Sequence, residues 1–150
     1  MTHPPVPASG LRPTDRSLPI ALLRARETVM APLRDMLAHS GINEQKWRVL
    51  RVLDEGGAME QTAIAKAACL LLPSLTRILR AMETEGLLTR LADAQDRRKS
   101  IVTLSDAGRA VILAHAPESR ALFSRLEAQF GSDRLNQLLD LLEDLRKLPL

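Results

Sequence analysis

LLPSLTRILRAMETEGLLTRLADAQDRRKSIVTLSDAG, residues 71 to 108, changes its hydrophobic pattern twice. Pro73 suits the first turn of a helix that runs to Glu85 and stops at Gly86. On a helical wheel Leu75, Ile78, Leu79 and Met82 share one apolar arc, while Arg77, Arg80 and Thr84 lie opposite and Ser74 and Thr76 flank it. Leu87 to Leu91 and Ser100 to Leu104 then read as two strands of a hairpin. The polar stretch between them, Asp93 to Ser100, ends in Arg97, Arg98 and Lys99. At Ser105, an N-cap candidate, helix resumes.

Working upstream, Glu60 to Ala68 reads as a short helix carrying the small residues Ala63, Ala65 and Ala68, and Leu70 to Leu72 as a tight connection. Two helices joined this way form a helix-turn-helix candidate. The order helix, turn, helix, strand, basic loop, strand is that of a winged helix-turn-helix. An amphipathic helix with a solvated face is the bland reading of residues 73 to 85. The basic hairpin beside it favours a DNA reader, whose N-terminal turns enter the major groove. The wing tip then reaches the adjacent minor groove, where negative potential attracts arginine. Asp96 is expected to orient a neighbouring arginine or to accept backbone N–H bonds that fix the loop.

These residues resemble the MarR family of bacterial transcriptional regulators. The matching features are the hydroxyl-and-arginine helix, METEGLL, the wing DRRKSIVTLS and the AGRA helix start. LPIALLRARETVM and EQKWRVLRVL further resemble the branch that represses homoprotocatechuate and other aromatic-acid degradation operons. The resemblance covers about Leu18 to Leu145. It implies a homodimer with interlocked terminal helices on a palindromic double-stranded operator. It also implies contacts by Ser74, Thr76 and Arg77, with Asp96 and Arg98 as the wing pair, Arg98 in the minor groove, and Arg97 and Lys99 on phosphates. Arg80 joins them as a cation on the same helix face.

The rest of the chain fits one domain. Of 150 residues, 45% are hydrophobic and 26% charged, ordinary for a folded protein with a real core. The net charge of +3 says little, so the placement of charge carries the argument. A single cysteine excludes an internal disulfide framework and fits a reducing compartment. No apolar run approaches the roughly 20 residues of a membrane span, and no signal pattern opens the chain. A cytoplasmic, nucleoid-associated protein is expected. Residues 1 to 16, with four prolines, are expected to be a disordered arm. Residues 17 to 150 form one winged helix-turn-helix domain, mainly α with a small β-hairpin wing. Dimerisation helices occupy 17–40 and 106–147, and the DNA-binding head about 44–104. Pro32 is expected to bend its helix, and Pro117 to produce a bend or short break from Ala114 to Glu118. Ser132 is read as the cap of the last helix.

Arg26 stands on the apolar stripe Leu23, Met30, Leu33, Leu37. It is either an arginine at the stripe's edge, its stem buried and its head in water or in an ion pair such as one with Glu27 or Asp35 elsewhere in the dimer, or the counter-ion of a small aromatic carboxylate. The resemblance favours an effector pocket there, with Trp47, Arg48 and Arg51 as further lining. Cys69 is expected to be a small buried hydrophobe; a redox-responsive regulator using Cys69 is the alternative, since a sensing thiol needs exposure. A winged protein-interaction module that does not read DNA is the other, and the clustered cations argue against it. His39 and His115 lack a metal-ligand spacing. No phosphate-binding loop, nucleophile elbow, zinc motif or dinucleotide fingerprint supports an enzyme or a cofactor.

Overall fold

The computed structural model describes residues 8–150. Six helices and a three-stranded sheet follow one another as α1 (Leu18–Leu37), α2 (Glu44–Gly56), β1 (Met59–Glu60), α3 (Gln61–Ala68), α4 (Leu72–Thr84), β2 (Leu88–Ala92), β3 (Ser100–Leu104), α5 (Asp106–Phe130) and α6 (Ser132–Arg146). This is the mainly α, winged helix-turn-helix architecture that the sequence implies. Of the proline-rich arm, residues 1–7 lie outside the described residues, while Thr14–Arg16 forms a 3-10 turn.

Local chemistry explains most boundaries. Gly41 takes the left-handed conformation after α1, and the Asn43 side chain caps α2 by accepting from the Lys46 N–H at 2.8 Å. At the end of α4, Gly86 is left-handed, Leu87 N–H donates to Met82 C=O at 2.9 Å and Gly86 N–H to Glu83 C=O at 3.0 Å. That pair of bonds is a Schellman motif, which turns the chain sharply into β2. Ser105 caps α5, accepting from Gly108 N–H at 3.0 Å, while its own hydroxyl donates to Gly86 C=O at 2.6 Å.

Three local expectations are corrected. The break at Pro117 is absent: α5 is continuous from Asp106 to Phe130. Proline frees only the Leu113 carbonyl, and Leu113 lies on an exposed face where water can solvate that group. The last helix is capped by Gly131, not Ser132, whose hydroxyl sits in the first turn and donates to Glu127 at 2.6 Å. Cys69 is exposed rather than buried, and is the one non-glycine residue among those described with positive φ (57°). It ends α3 in a left-handed turn closed by Leu70 N–H to Ala65 C=O at 2.9 Å. A left-handed residue with a Cβ costs roughly 1 kcal/mol. Cys69→Gly is therefore expected to raise stability by about 0.5–1 kcal/mol, read as a higher urea midpoint at unchanged slope. A lower midpoint would show that the thiol's contacts outweigh the strain.

Leu50, Leu53, Ile64, Leu75, Leu79, Met82, Leu88 and Val102 are almost fully buried, so one core joins α2, α3, α4 and the hairpin. The third strand, β1, is too short to show in a sequence pattern. It pairs antiparallel with β3, Met59 opposite Val102, and β3 pairs with β2 from Leu88–Leu104 to Ala92–Ser100. The sheet order β1-β3-β2 therefore fastens the segment entering α3 to the wing. By contrast α6 buries none of its residues; Leu138, Leu139, Leu141 and Leu142 are exposed, as are Leu18, Leu22 and Leu23 on α1.

A candidate nucleic-acid interface

α3 and α4 meet at 107° across a three-residue connection, the geometry of a helix-turn-helix. The apolar arc of α4 falls inward as its periodicity requires: Leu75, Leu79 and Met82 are wholly buried and Ile78 packs against the core. Arg77 and Arg80 face solvent, and Ser74 and Thr76 are half-buried at the flanks. Among the described residues no ion pair involves Arg77, Arg80 or Arg97. Their charges are thus unneutralised, which is what a phosphate or a base edge requires.

The wing tip is built rather than slack. Asp93 Oδ1 accepts from Gln95 N–H at 3.0 Å, and Asp93 N–H donates to Lys99 C=O at 2.9 Å. Asp96 accepts from the Arg98 backbone N–H and Nε, both at 3.1 Å, and from Nη2 at 3.2 Å. These bonds hold the Asp96 carboxyl below its ordinary value. They also aim Arg98 outward, with its side chain 91% exposed. Lys99 lies 3.9 Å from Glu60 on β1. At the wing base, Arg90 donates to Glu83 of α4 at 3.0 Å, tying β2 to the helix and lowering the Glu83 carboxyl.

One contact here has no signal in the sequence. Gln61 Nε2 donates to Thr76 Oγ1 at 2.6 Å, joining the first residue of α3 to α4. The residues are fifteen positions apart, and no periodicity links them.

The four effector candidates have distinct partners. Arg26 binds Glu44 at 2.5 Å, and Arg34 reaches both Glu27 and, at 3.6 Å, Glu44. Burial pushes the Glu44 carboxyl up, but the Arg26 hydrogen bond and the charges of Arg26, Arg34 and Arg48 outweigh it and hold Glu44 below its usual range. Arg48 donates to the Ala68 and Cys69 carbonyls at 2.8 and 3.1 Å, closing the end of α3. Arg51 pairs with Glu55 at 2.8 Å on the surface of α2. Trp47 is buried, edge-on to His115 with ring centres 5.7 Å apart. A separate groove of about 290 Å³ runs between α1 and α5 past Asp35, His39, Glu118 and Arg125. None of the four candidates lines it. Among the described residues no three His, Cys, Asp or Glu side chains are placed to hold a metal, and no single helix is long and apolar enough to cross a membrane.

A profile of the MarR family matches residues 42–100, which begin just before α2 and end at the first residue of β3. The homoprotocatechuate degradative operon repressor of Escherichia coli is 39% identical over 128 residues, covering 85% of this chain and 86% of the repressor. The structure of NadR in complex with 4-hydroxyphenylacetate superposes with a TM-score of 0.79 at 33% identity, over 92% of this chain and 98% of that one. The transcriptional repressor CouR bound to a 23-mer DNA duplex gives 0.80 at 29% identity, over 89% and 94%. Fold, unneutralised cations and likeness over nearly the whole of a repressor agree: the chain is a DNA-binding transcriptional regulator and belongs to the MarR family.

Proposed function

We propose that this protein is a dimeric repressor of an aromatic-acid catabolic operon, acting in the cytoplasm and released from its palindromic operator by a small aromatic carboxylate. The likeness to the homoprotocatechuate repressor carries the reading. The bound 4-hydroxyphenylacetate in NadR supports the ligand class, and the DNA-bound CouR supports operator binding. Ser74, Thr76, Arg77 and Arg80 would meet the major groove, and Asp96, Arg97, Arg98 and Lys99 form the wing that reaches beside it. The exposed leucines of α1 and α6 make a face too apolar to stay in water, and a second copy of the chain would cover it.

A ligand releases DNA only if it binds the DNA-free arrangement more tightly. Its carboxylate needs a cation, and a guanidinium offers a bidentate fork. Arg26 and Arg51 are the proposed partners, beside Trp47 and Arg48. Arg26 already holds Glu44, so a ligand bound there takes that carboxylate's place. The test is operator titration with and without 4-hydroxyphenylacetate. Arg26→Ala or Arg51→Ala is expected to keep operator affinity within about threefold of the parent, a change below 1 kcal/mol, and to lose release by the acid. Release of both variants at the parent's concentration would move the carboxylate partner elsewhere.

A further inference from the structure

Thr76 is held from two sides. Its hydroxyl donates its only proton to the Leu72 carbonyl at 3.0 Å and accepts from Gln61 Nε2 at 2.6 Å. A threonine hydroxyl has one donor hydrogen and two acceptor lone pairs. One lone pair is left for an incoming group. Gln61 and Thr76 are each half-buried, so the pair sits at the rim where α3 meets α4 and Thr76 keeps part of its surface open.

The geometry points to Gln61 as a specificity-determining residue that acts through Thr76, on the reading that α4 lies in the major groove. By occupying one lone pair and leaving the proton on Leu72, Gln61 makes Thr76 an acceptor only. In the major groove adenine and cytosine offer exocyclic amino donors, whereas guanine and thymine offer acceptors on the corresponding edge. The strand facing Thr76 therefore carries adenine or cytosine at that position. Without Gln61 only the bond to the Leu72 carbonyl restrains the hydroxyl, which can then turn and donate, so guanine and thymine are no longer excluded. Gln61 is thus a positioning residue: it touches Thr76, and Thr76 touches the base.

The probe is a set of duplexes recovered by the full-length parent from a randomised double-stranded pool, followed by single-base replacements through one half-site. The parent is expected to show one position where guanine or thymine costs about tenfold in affinity relative to adenine or cytosine. Gln61→Met keeps the length of the side chain but not its hydrogen bond. It should bring discrimination at that position to within about twofold, leaving the other positions and the salt dependence unchanged. Thr76→Val should flatten the same position, and the double variant should add nothing further. Thr76→Ser, which keeps the hydroxyl, should retain the preference whether or not Gln61→Met folds. Uniform weakening by Gln61→Met on every duplex overturns the proposal. So does a thymine preference that Thr76→Ser removes, since that would be a methyl contact. If Arg77→Ala alters one position and Thr76→Val none, this proposal fails while base reading by α4 stands. If neither alters any position, α4 is not the reading helix and both fall.

Discussion

Replacing Gly108 with alanine is expected to cost about 3 kcal/mol of folding stability, read as a lower urea midpoint. A Cβ at this position would lie 2.2 Å from the Leu87 carbonyl oxygen and 2.6 Å from Leu104 Cδ1. The leucine side chain can rotate away, but the carbonyl cannot. It accepts the Ser105 N–H at 3.1 Å, and the same residue's N–H closes the end of α4 on Met82. α5 would have to lift from the hairpin base and loosen the packing of Leu87, Leu88 and Ile112, all buried. Helix propensity taken alone favours alanine over glycine by about 1 kcal/mol. The two effects have opposite signs, so the measurement is decisive: a higher midpoint would mean that the close approach is relieved without cost.

The second large effect is on DNA. Converting Arg97, Arg98 and Lys99 together to alanine should lower operator affinity roughly 100- to 1,000-fold at 0.1 M salt. The slope of log affinity against log salt should become less steep by about 2 to 3, near 0.9 for each phosphate no longer neutralised. Little folding stability should go with it. Arg97 has no ion pair among the described residues, Arg98 is 91% exposed, and Lys99 stands 3.9 Å from its carboxylate. Solvent screens exposed pairs of this kind, and they contribute little to folding. Fluorescence anisotropy over a salt series, with thermal unfolding alongside, separates the two quantities. A weaker affinity with an unchanged slope would remove the wing from the phosphates.

What the sequence discloses and what it withholds divide by range. Gly41, Asn43, Gly86 and Ser105 are readable because a cap is decided within a few residues by side-chain oxygens and left-handed φ. The apolar arc of α4 is readable because burial on one side imposes a helical period. β1 is not, since two residues show no alternation and their pairing to Val102 and Ile101 is settled some forty positions away. Cys69 misleads because composition suggests burial for a thiol, while the need for a left-handed residue at the turn puts it outside. The sequence reading offers Arg26 the carboxylates Glu27 or Asp35 of the dimer as partners. Folding offers Glu44 instead, and Glu27 goes to Arg34. The Gln61–Thr76 bond is likewise a product of how two helices meet.

The length of α5 has a mechanical consequence. Twenty-five residues of uninterrupted helix make a rod of about 37 Å at 1.5 Å per residue. Its near end is wedged against the hairpin base at Leu87, and its far end carries α6. A swing of about 3° around that far end sweeps the near end through an arc of about 2 Å over such a rod. With β1 and β2 both laced to β3, and β2 tied to α4 through Arg90 and Glu83, α4 and the wing would travel that arc as one piece. In the proposed dimer, shifts too small to disturb any single contact at the leucine-rich end would become a change in stride between two heads, measured against a duplex whose groove spacing is fixed.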